Sequence, residues 1–392
     1  MKILHAVQFY FPATGGMQEA VRQISENLAR LGHDVTVVTS KDTKRKKGMV
    51  NGVKIEEFDI TGNAVVGIKG EIERFRKYLT DSRFDIVTNF AATQWATDIM
   101  LPILSRVKAK KVFVPTGFSM LYTPSYSQYF REMKSWMKEY DMNVFLSENY
   151  RDINFARENG IKKIRIIPNG ASREEFGEKV KIDIKKKLGI PKNHLLILHV
   201  GSHTGAKGHS EGIRIFDKAD INNATFLIIG NKTTKGCYRS CKLRELAFAI
   251  KPKNRRKEKR LKIMEFDRAH TIAAYQAADL FLFPSNIECS PLVLFECMAS
   301  RTPFLTADTG NAREIIDWSH SGVLLPTIID TLGYSHVDEK ESAGILEKMV
   351  NNKPQLQKMA GNGFIAWKNK FTWEKIAIKY ENLYKELLCK KN

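Results

Sequence analysis

Short apolar segments alternate with amphipathic helical segments along most of this chain, and this alternation restricts its fold more than any other feature. Residues 2–9 and 34–40 have the composition of buried strands, and residues 17–31 between them carry apolar side chains at helical spacing before Gly32. Further strands of the first half are predicted at 53–58, 84–90, 111–115, 143–147 and 164–168. Strands that alternate with helices form parallel sheets. The sequence therefore predicts an α/β fold with a doubly wound sheet.

A second alternating series follows a break in the pattern. Its strands are predicted at 195–201, 225–230, 261–265, 279–283 and 303–307. Between the two series, a polar segment separates Pro168-Asn169-Gly170 from Gly189-Ile190-Pro191, so we predict an interdomain linker at 171–191. The chain of 392 residues suits two domains of this kind, which we place at 1–170 and 192–366, followed by a helical segment at 367–392.

Composition restricts where such a protein works. The chain is 43% hydrophobic, but it has no stretch of about 18 uncharged apolar residues. Its first residues run directly into a predicted strand without the pattern of a signal peptide. We therefore expect a cytoplasmic protein, with peripheral attachment to the inner membrane face as an open alternative.

The five cysteines do not form a framework that predicts disulfide bonds. They stand at 237, 241, 289, 297 and 389, an odd set that suits a reducing compartment. Cys237 and Cys241 are spaced so that both can bind a metal, but no further ligands follow them nearby. We expect free thiols and no metal site.

The formal net charge of +20 is concentrated in two basic runs. Residues 41–47 and 251–262 together supply 11 of these 20 positive charges. No motif that reads DNA or RNA accompanies them, so nucleic acid is not an expected partner. An anionic membrane surface or a phosphorylated acceptor accounts for the charge, and so do ordinary solvated loops.

Two glutamates with seven residues between them mark the most informative segment for function. Glu288 and Glu296 follow the apolar run at 280–283, and Ser290 and Pro291 between them are typical of a helix N-cap and first helical position. The first amides of that helix, at Leu292 and Val293, would face the loop and attract a phosphate.

The segment at 278–316 resembles the donor site of the retaining glycosyltransferases of family 4. It contains Glu-x7-Glu, then Ala299-Ser300-Arg301-Thr302-Pro303 and Thr309-Gly310-Asn311-Ala312-Arg313-Glu314. The resemblance covers nearly the whole chain. It implies the GT-B fold, in which two Rossmann-like domains face a central cleft and a C-terminal helix returns to the first domain.

The resemblance also implies a reaction and its partners. The donor would be a nucleotide diphosphate sugar bound mainly by the second domain, and the acceptor a glycan, a lipid-linked glycan or another hydroxyl compound bound by the first. Transfer would retain the anomeric configuration and need neither a metal nor a cofactor. Glu288 would lie beside the donor sugar, and Glu296 would hold the ribose hydroxyls.

Two glycine-containing loops complete the predicted site. Gly15-Gly16 precedes the first helix and lets the backbone approach a ligand closely, as does the family's corresponding loop. In the second domain, Gly201-Ser202 follows a buried strand, and Lys207 is placed to stabilise the charge of the departing nucleoside diphosphate. Relatives normally carry Arg where Ser202 stands, so half of the usual cation pair is missing.

Other positions depart from the family or stay open. Thr116 and Asn89 stand where many relatives have His; both can bond a sugar hydroxyl but neither titrates near neutral pH. The apolar face of the helix at 128–140 suits either a membrane surface or the domain core. A nucleotide-sugar epimerase of the same fold, or a non-catalytic relative that binds a partner, is an alternative function.

Overall fold

The computed structural model describes residues 1–81 and 83–389. The strands are listed here in chain order: β1 Lys2–Ala6, β2 Asp34–Ser40, β3 Met49–Val50, β4 Val53–Phe58, β5 Ile60–Asn63, β6 Gly67–Gly70, β7 Ile86–Phe90, β8 Lys110–Val114, β9 Met142–Phe145, β10 Ile164–Ile166, β11 Leu195–Val200, β12 Ala224–Ile229, β13 Lys259–Met264, β14 Leu280–Phe283, β15 Phe304–Thr306, β16 Gly322–Leu324, β17 Thr327–Ile329 and β18 Ser335–Val337.

Helices connect most of these strands. They are α1 Gly16–Arg30, α2 Ile72–Asp81, α3 Trp95–Asp98, α4 Ser127–Glu139, α5 Arg151–Glu158, α6 Arg173–Phe176, α7 Ile184–Lys187, α8 His209–Lys218, α9 Lys235–Ile250, α10 Pro252–Arg256, α11 Arg268–Ala277, α12 Leu292–Ala299, α13 Ala312–Ser319, α14 Glu339–Val350, α15 Lys353–Lys370 and α16 Trp373–Cys389. Helix α1 ends where the sequence predicted, since Gly32 has a φ of 87° that favours glycine.

The chain folds into two compact units, each built on a parallel sheet. The first comprises Met1–Gly170 and Trp373–Asn392, and the second comprises Ala171–Thr372. The first sheet has the strand order β10-β9-β8-β7-β1-β2-β4-β3, parallel except for the pair β3 and β4. Its central strand β1 buries Ile3 and Leu4 completely, as expected for a strand covered on both faces.

The second sheet has the strand order β13-β12-β11-β14-β15-β16 and is parallel throughout. The first strand in chain order, β11, lies in the middle of the sheet. Strands β12 and β13 follow on one side of it, and β14 then pairs with its other side. The predicted α/β class with two doubly wound sheets is confirmed. A short antiparallel pair, β17 with β18, follows this sheet.

The predicted linker at 171–191 is part of the second unit and not a separate segment. It contains the helices α6 and α7, and it buries Phe176, Ile184 and Ile190 in the core of that unit. The prediction relied on the many Glu and Lys residues, which lie on the exposed sides of these short helices. These three buried apolar side chains attach the segment to the core of the second unit.

The chain passes from the second unit back to the first at a later residue than the predicted boundary at 367. Trp367 is buried in the second core, and α15 continues to Lys370. Helix α16 belongs to the first unit, where the Tyr384 hydroxyl lies 2.7 Å from the Thr88 hydroxyl and His33 pairs with Glu381 at 2.9 Å.

The apolar face of α4 belongs to the core of the first unit. Phe130, Met133, Met137 and Tyr140 are all buried there, and Trp136 packs against them. Of the two interpretations left open by the sequence, the structure therefore supports the core and not a membrane surface. Within the described residues, none of the helices is both long and apolar enough to cross a bilayer.

Candidate active site

The loops that follow β11 and β14 meet at the point where the strand order of the second sheet reverses. The two strands are neighbours, with Ile197 opposite Leu280, but about eighty residues of chain separate them. Adjacent loops diverge at such a switch point and leave a crevice at the carboxyl ends of the strands, where ligands of open α/β sheets bind. The loops concerned are 201–208 and 284–290.

A glycine allows the first loop to lie directly on the second. Gly208 has a φ of 70°, and a Cβ atom there would come within 1.9 Å of the Pro284 carbonyl oxygen. A backbone bond fixes the contact, because the Asn286 amide donates to the Ala206 carbonyl oxygen at 3.0 Å, and Ser285 Oγ lies 3.2 Å from the same oxygen. The backbone of loop 201–208 is therefore held in place before any ligand binds.

This contact brings together Lys207 and Glu288, which the sequence predicted for the site separately. Lys207 Nζ lies 2.7 Å from Glu288 Oε1, and the Ser285 hydroxyl donates to the same carboxylate oxygen at 2.7 Å. The Glu288 side chain is only 10% exposed, whereas Lys207 is 29% exposed. The cation is therefore oriented by a nearly buried carboxylate and still reaches solvent.

A third loop supports Glu288 from the other side. The Glu288 amide donates to the Thr309 hydroxyl at 3.2 Å, and the Asn311 amide donates to the Cys289 carbonyl oxygen at 2.9 Å. Gly310 between them has a φ of 57°, and a Cβ atom there would lie 2.5 Å from the Cys289 carbonyl oxygen. Gly310 is therefore required for the close packing of these loops.

The start of α12 differs from the sequence prediction. The helix begins at Leu292 with Pro291 as its N-cap, and the Ser290 hydroxyl accepts a bond from the Asn311 side-chain amide at 3.2 Å instead of capping the helix. The amides of Leu292 and Val293 are still in the first turn, where helical geometry provides no intrahelical acceptor.

Glu296 takes part in an ion-pair network that the sequence did not reveal. It is buried, and its Oε1 atom lies 2.7 Å from the Arg268 guanidinium, which also lies 2.5 Å from Glu175. Burial by itself would lower the pKa of Arg268, but the two carboxylates raise it above its usual range. Arg268 holds the Glu296 carboxylate in one orientation. In the sequence, the one feature that marks the position of Arg268 is the preceding Asp267, which caps α11.

The predicted residues of the first unit fall into two groups. Gly15 is the N-cap of α1 and Gly16 its first residue, so both lie at the carboxyl end of β1 as predicted. Thr116 is half-buried and has a φ of 58°, a strained conformation of a kind often found at functional sites.

Asn89 behaves as a core residue and not as a sugar contact. It is completely buried, its amide nitrogen donates to the Ala96 carbonyl oxygen at 3.0 Å, and its Oδ1 atom accepts from the Tyr140 hydroxyl at 3.0 Å. Both polar ends of the side chain are thus engaged within the first unit. The sequence placed Asn89 correctly at a strand end, but the pattern could not show that Tyr140 covers it.

No further metal ligand follows Cys237 and Cys241 nearby in the sequence, and both cysteines are free, but the fold brings a histidine to them. His203, from the loop after β11, lies close enough for its ring nitrogen and the two sulfur atoms to be within 4.8 Å of one another. The histidine precedes Cys237 by 34 residues, so the local spacing could not reveal it.

Two family models match adjoining parts of the chain. Residues 14–175 match Glycosyltransferase Family 4, and residues 180–363 match Glycosyl transferases group 1. An uncharacterized glycosyltransferase of Methanocaldococcus jannaschii is 23% identical over 98% of this chain and 98% of its own length.

Solved structures share the fold at low identity. The Anabaena protein HepE in complex with UDP-glucose is similar with a TM-score of 0.76 and 16% identity, over 98% of this chain and all of the other. Sucrose-phosphate synthase from Thermosynechococcus elongatus has a TM-score of 0.75 and 17% identity, over 99% of both chains.

Proposed function

Because this chain belongs to the family 4 type of GT-B glycosyltransferases, we propose that it transfers a sugar from a nucleotide diphosphate donor to a hydroxyl acceptor. The donor binds at the switch point of the second sheet, and the acceptor, a glycan or lipid-linked glycan, binds to the first unit. The transferred sugar is a hexose or a related sugar, and its anomeric configuration is retained.

The observation that carries this proposal is the ion pair between Lys207 and Glu288 beside the start of α12. A diphosphate placed there would meet a lysine ammonium and the first amides of a helix, two features that stabilise negative charge. The UDP-glucose bound by the similarly folded HepE supports a nucleotide sugar as the ligand.

The roles of the residues follow from the charges that change during transfer. As the bond between the anomeric carbon and the diphosphate oxygen breaks, negative charge grows on the leaving group, and Lys207 with the amides of Leu292 and Val293 stabilises it. Glu288 orients Lys207 and lies beside the donor sugar. Gly201 and Ser202 line the phosphates, and Glu296, oriented by Arg268, accepts bonds from the ribose hydroxyls.

Turnover with and without acceptor tests this function. Purified protein is incubated with each common nucleotide sugar, alone and with a mixture of glycan and lipid-linked acceptors, and the released nucleoside diphosphate is measured. We expect release that depends on acceptor and a product with the donor's anomeric configuration. Conversion of the donor to another sugar without acceptor would identify an epimerase, and no reaction or binding with any donor would identify a non-catalytic relative.

We propose that the transfer step uses no metal, because Lys207 and the helix amides supply the positive charge that a divalent ion supplies elsewhere. EDTA should therefore leave the rate within about twofold of that of the untreated enzyme. The loss of one preorganised charge stabiliser would lower the rate far more than this. Loss of activity that Mg²⁺ or Mn²⁺ restores would contradict this expectation.

We also propose that an anionic membrane surface attracts the exposed part of the second basic run. Lys251 and Lys257 pair with Asp217 and Asp220, and Lys259 is buried against backbone carbonyls. The outer bases of α10 are exposed: Lys253, Arg255 and Arg256. The exposed positive charge is therefore smaller than the number of basic residues in the run suggests, but it is concentrated on one short helix.

Vesicle sedimentation checks this surface. Binding to phosphatidylserine vesicles should fall steeply with salt, because exposed charges are screened over about 8 Å at physiological ionic strength. Substitution of the three basic residues of α10 by Glu should abolish binding. The same substitution of the exposed Lys353, Lys358 and Lys368 of α15 should weaken binding less. Equal binding to neutral and anionic vesicles would contradict the proposal.

A further inference from the structure

Two histidines and two cysteines converge beside loop 201–208 of the second unit. His203 lies in the loop itself and His209 is the first residue of α8. Cys237 and Cys241 are four residues apart in the first half of α9, so they lie on one face of that helix.

The distances between the ligand atoms approach those of a metal site. Cys237 Sγ lies 3.5 Å from His203 Nδ1 and 3.9 Å from His209 Nδ1, and the ligand atoms of His203, Cys237 and Cys241 are within 4.8 Å of one another. In a tetrahedral zinc site, with bonds of about 2.0 to 2.3 Å, neighbouring ligand atoms are about 3.3 to 3.8 Å apart. His203, Cys237 and Cys241 are therefore close to a closed arrangement, whereas His209, whose ring is stacked on that of His203 with centroids 4.3 Å apart, has to rotate to join them.

A backbone carbonyl fixes the tautomer of one histidine. His209 Nε2 lies 3.0 Å from the Gly201 carbonyl oxygen, which can only accept, so this nitrogen carries the proton. The Nδ1 atom then presents its lone pair toward Cys237. Metal-binding histidines are commonly oriented in the same way, by a backbone carbonyl at the other ring nitrogen.

The cluster is enclosed but accessible. His203 is completely buried, and Cys241 and His209 are 1% and 3% exposed. A cavity of about 380 Å³ is lined by His209, Glu211 and Cys237 and gives an ion a path to the site.

We propose that His203, Cys237 and Cys241 bind one Zn²⁺ ion, with His209 as the fourth ligand. Two thiolates and two imidazoles form a soft ligand set that favours Zn²⁺ over Mg²⁺ or Mn²⁺. Each cysteine releases its thiol proton to solvent on binding. The ion fastens the start of α9 to His203, while the contacts with Pro284 and Asn286 hold the backbone of loop 201–208 without it, so the site is structural and its loss lowers the Tm more than the rate of transfer.

Metal content and cobalt substitution test this site on the intact protein. We expect about one Zn²⁺ per chain after purification, and after its removal a 1:1 titration with Co²⁺ should give the intense absorption of thiolate-to-cobalt charge transfer and tetrahedral coordination. Zn²⁺ should compete with Co²⁺ and raise the Tm, because it binds only the native state. The absence of both stoichiometric Zn²⁺ and this cobalt spectrum would overturn the proposal.

Variants identify the ligands. C237S with C241S should lose the cobalt spectrum and the zinc-dependent rise in Tm, and H203A should weaken both, whereas C389S, which removes an exposed cysteine elsewhere, should leave them unchanged. Circular dichroism shows whether each variant is folded. A wild-type chain that is two mass units lighter than its reduced form and binds no Co²⁺ until it is reduced would indicate a disulfide in place of the metal, and would also overturn the proposal.

Discussion

Lys207→Ala is expected to lower kcat by on the order of 100-fold or more, because it removes a preorganised charge that stabilises the departing diphosphate. The charge on the leaving group grows as its bond to the sugar breaks, so the loss should be larger in turnover than in donor binding. Steady-state kinetics with saturating donor measures it.

A matched control separates this effect from the loss of any lysine on the same unit. Lys218 also pairs with a glutamate, Glu339, but on the surface of α8 away from loop 201–208. Lys218→Ala should retain nearly full turnover. If Lys207→Ala also retains it, another base serves the diphosphate and the assignment of the phosphate site is wrong. Ser202→Arg, which restores the family's cation pair, should tighten binding of the free nucleoside diphosphate.

Glu296→Gln is expected to weaken donor binding by about 1.5 to 3 kcal/mol, the range for hydrogen bonds to a charged group. The amide keeps the size of the side chain but loses the carboxylate that Arg268 orients and that the ribose hydroxyls would meet. Isothermal titration with the donor measures the change.

The control for this variant is Glu339→Gln, which breaks a similar network with Arg214 and Lys218 at the surface. Its donor affinity should equal that of the wild type. Unchanged affinity in Glu296→Gln would show that the carboxylate does not contact the donor and serves only to pair with Arg268.

The fold was largely predictable because most of its strands are short segments rich in apolar side chains that alternate with helices along the chain. The predicted segments at 34–40 and 53–58 coincide with β2 and β4 at both ends. The hairpin of β5 and β6 was missed since its residues are mostly polar or glycine and largely exposed. Such strands lack the alternation that identifies a half-buried strand.

The sequence names candidate site residues one by one, but it does not give their arrangement. Lys207 and Glu288 each follow a buried strand, so the sequence indicated both, yet their pairing depends on β14 lying beside β11. Arg268 resembles an ordinary surface arginine at a helix start, and only the tertiary fold brings it to Glu296. The prediction for Ser290 was wrong because its partner, Asn311, comes from another loop.

Calorimetric binding of nucleoside diphosphates tests the central claim most directly, that loops 201–208 and 284–290 with the start of α12 hold a diphosphate. UDP, GDP and ADP are compared with the corresponding monophosphates on the wild type and on Lys207→Ala. We predict that one diphosphate binds at least about 10-fold more tightly than its monophosphate, a difference of about 1.4 kcal/mol, and that Lys207→Ala removes most of this difference. Equal binding of the diphosphate and the monophosphate by the wild type, or no binding of any diphosphate, would contradict the account.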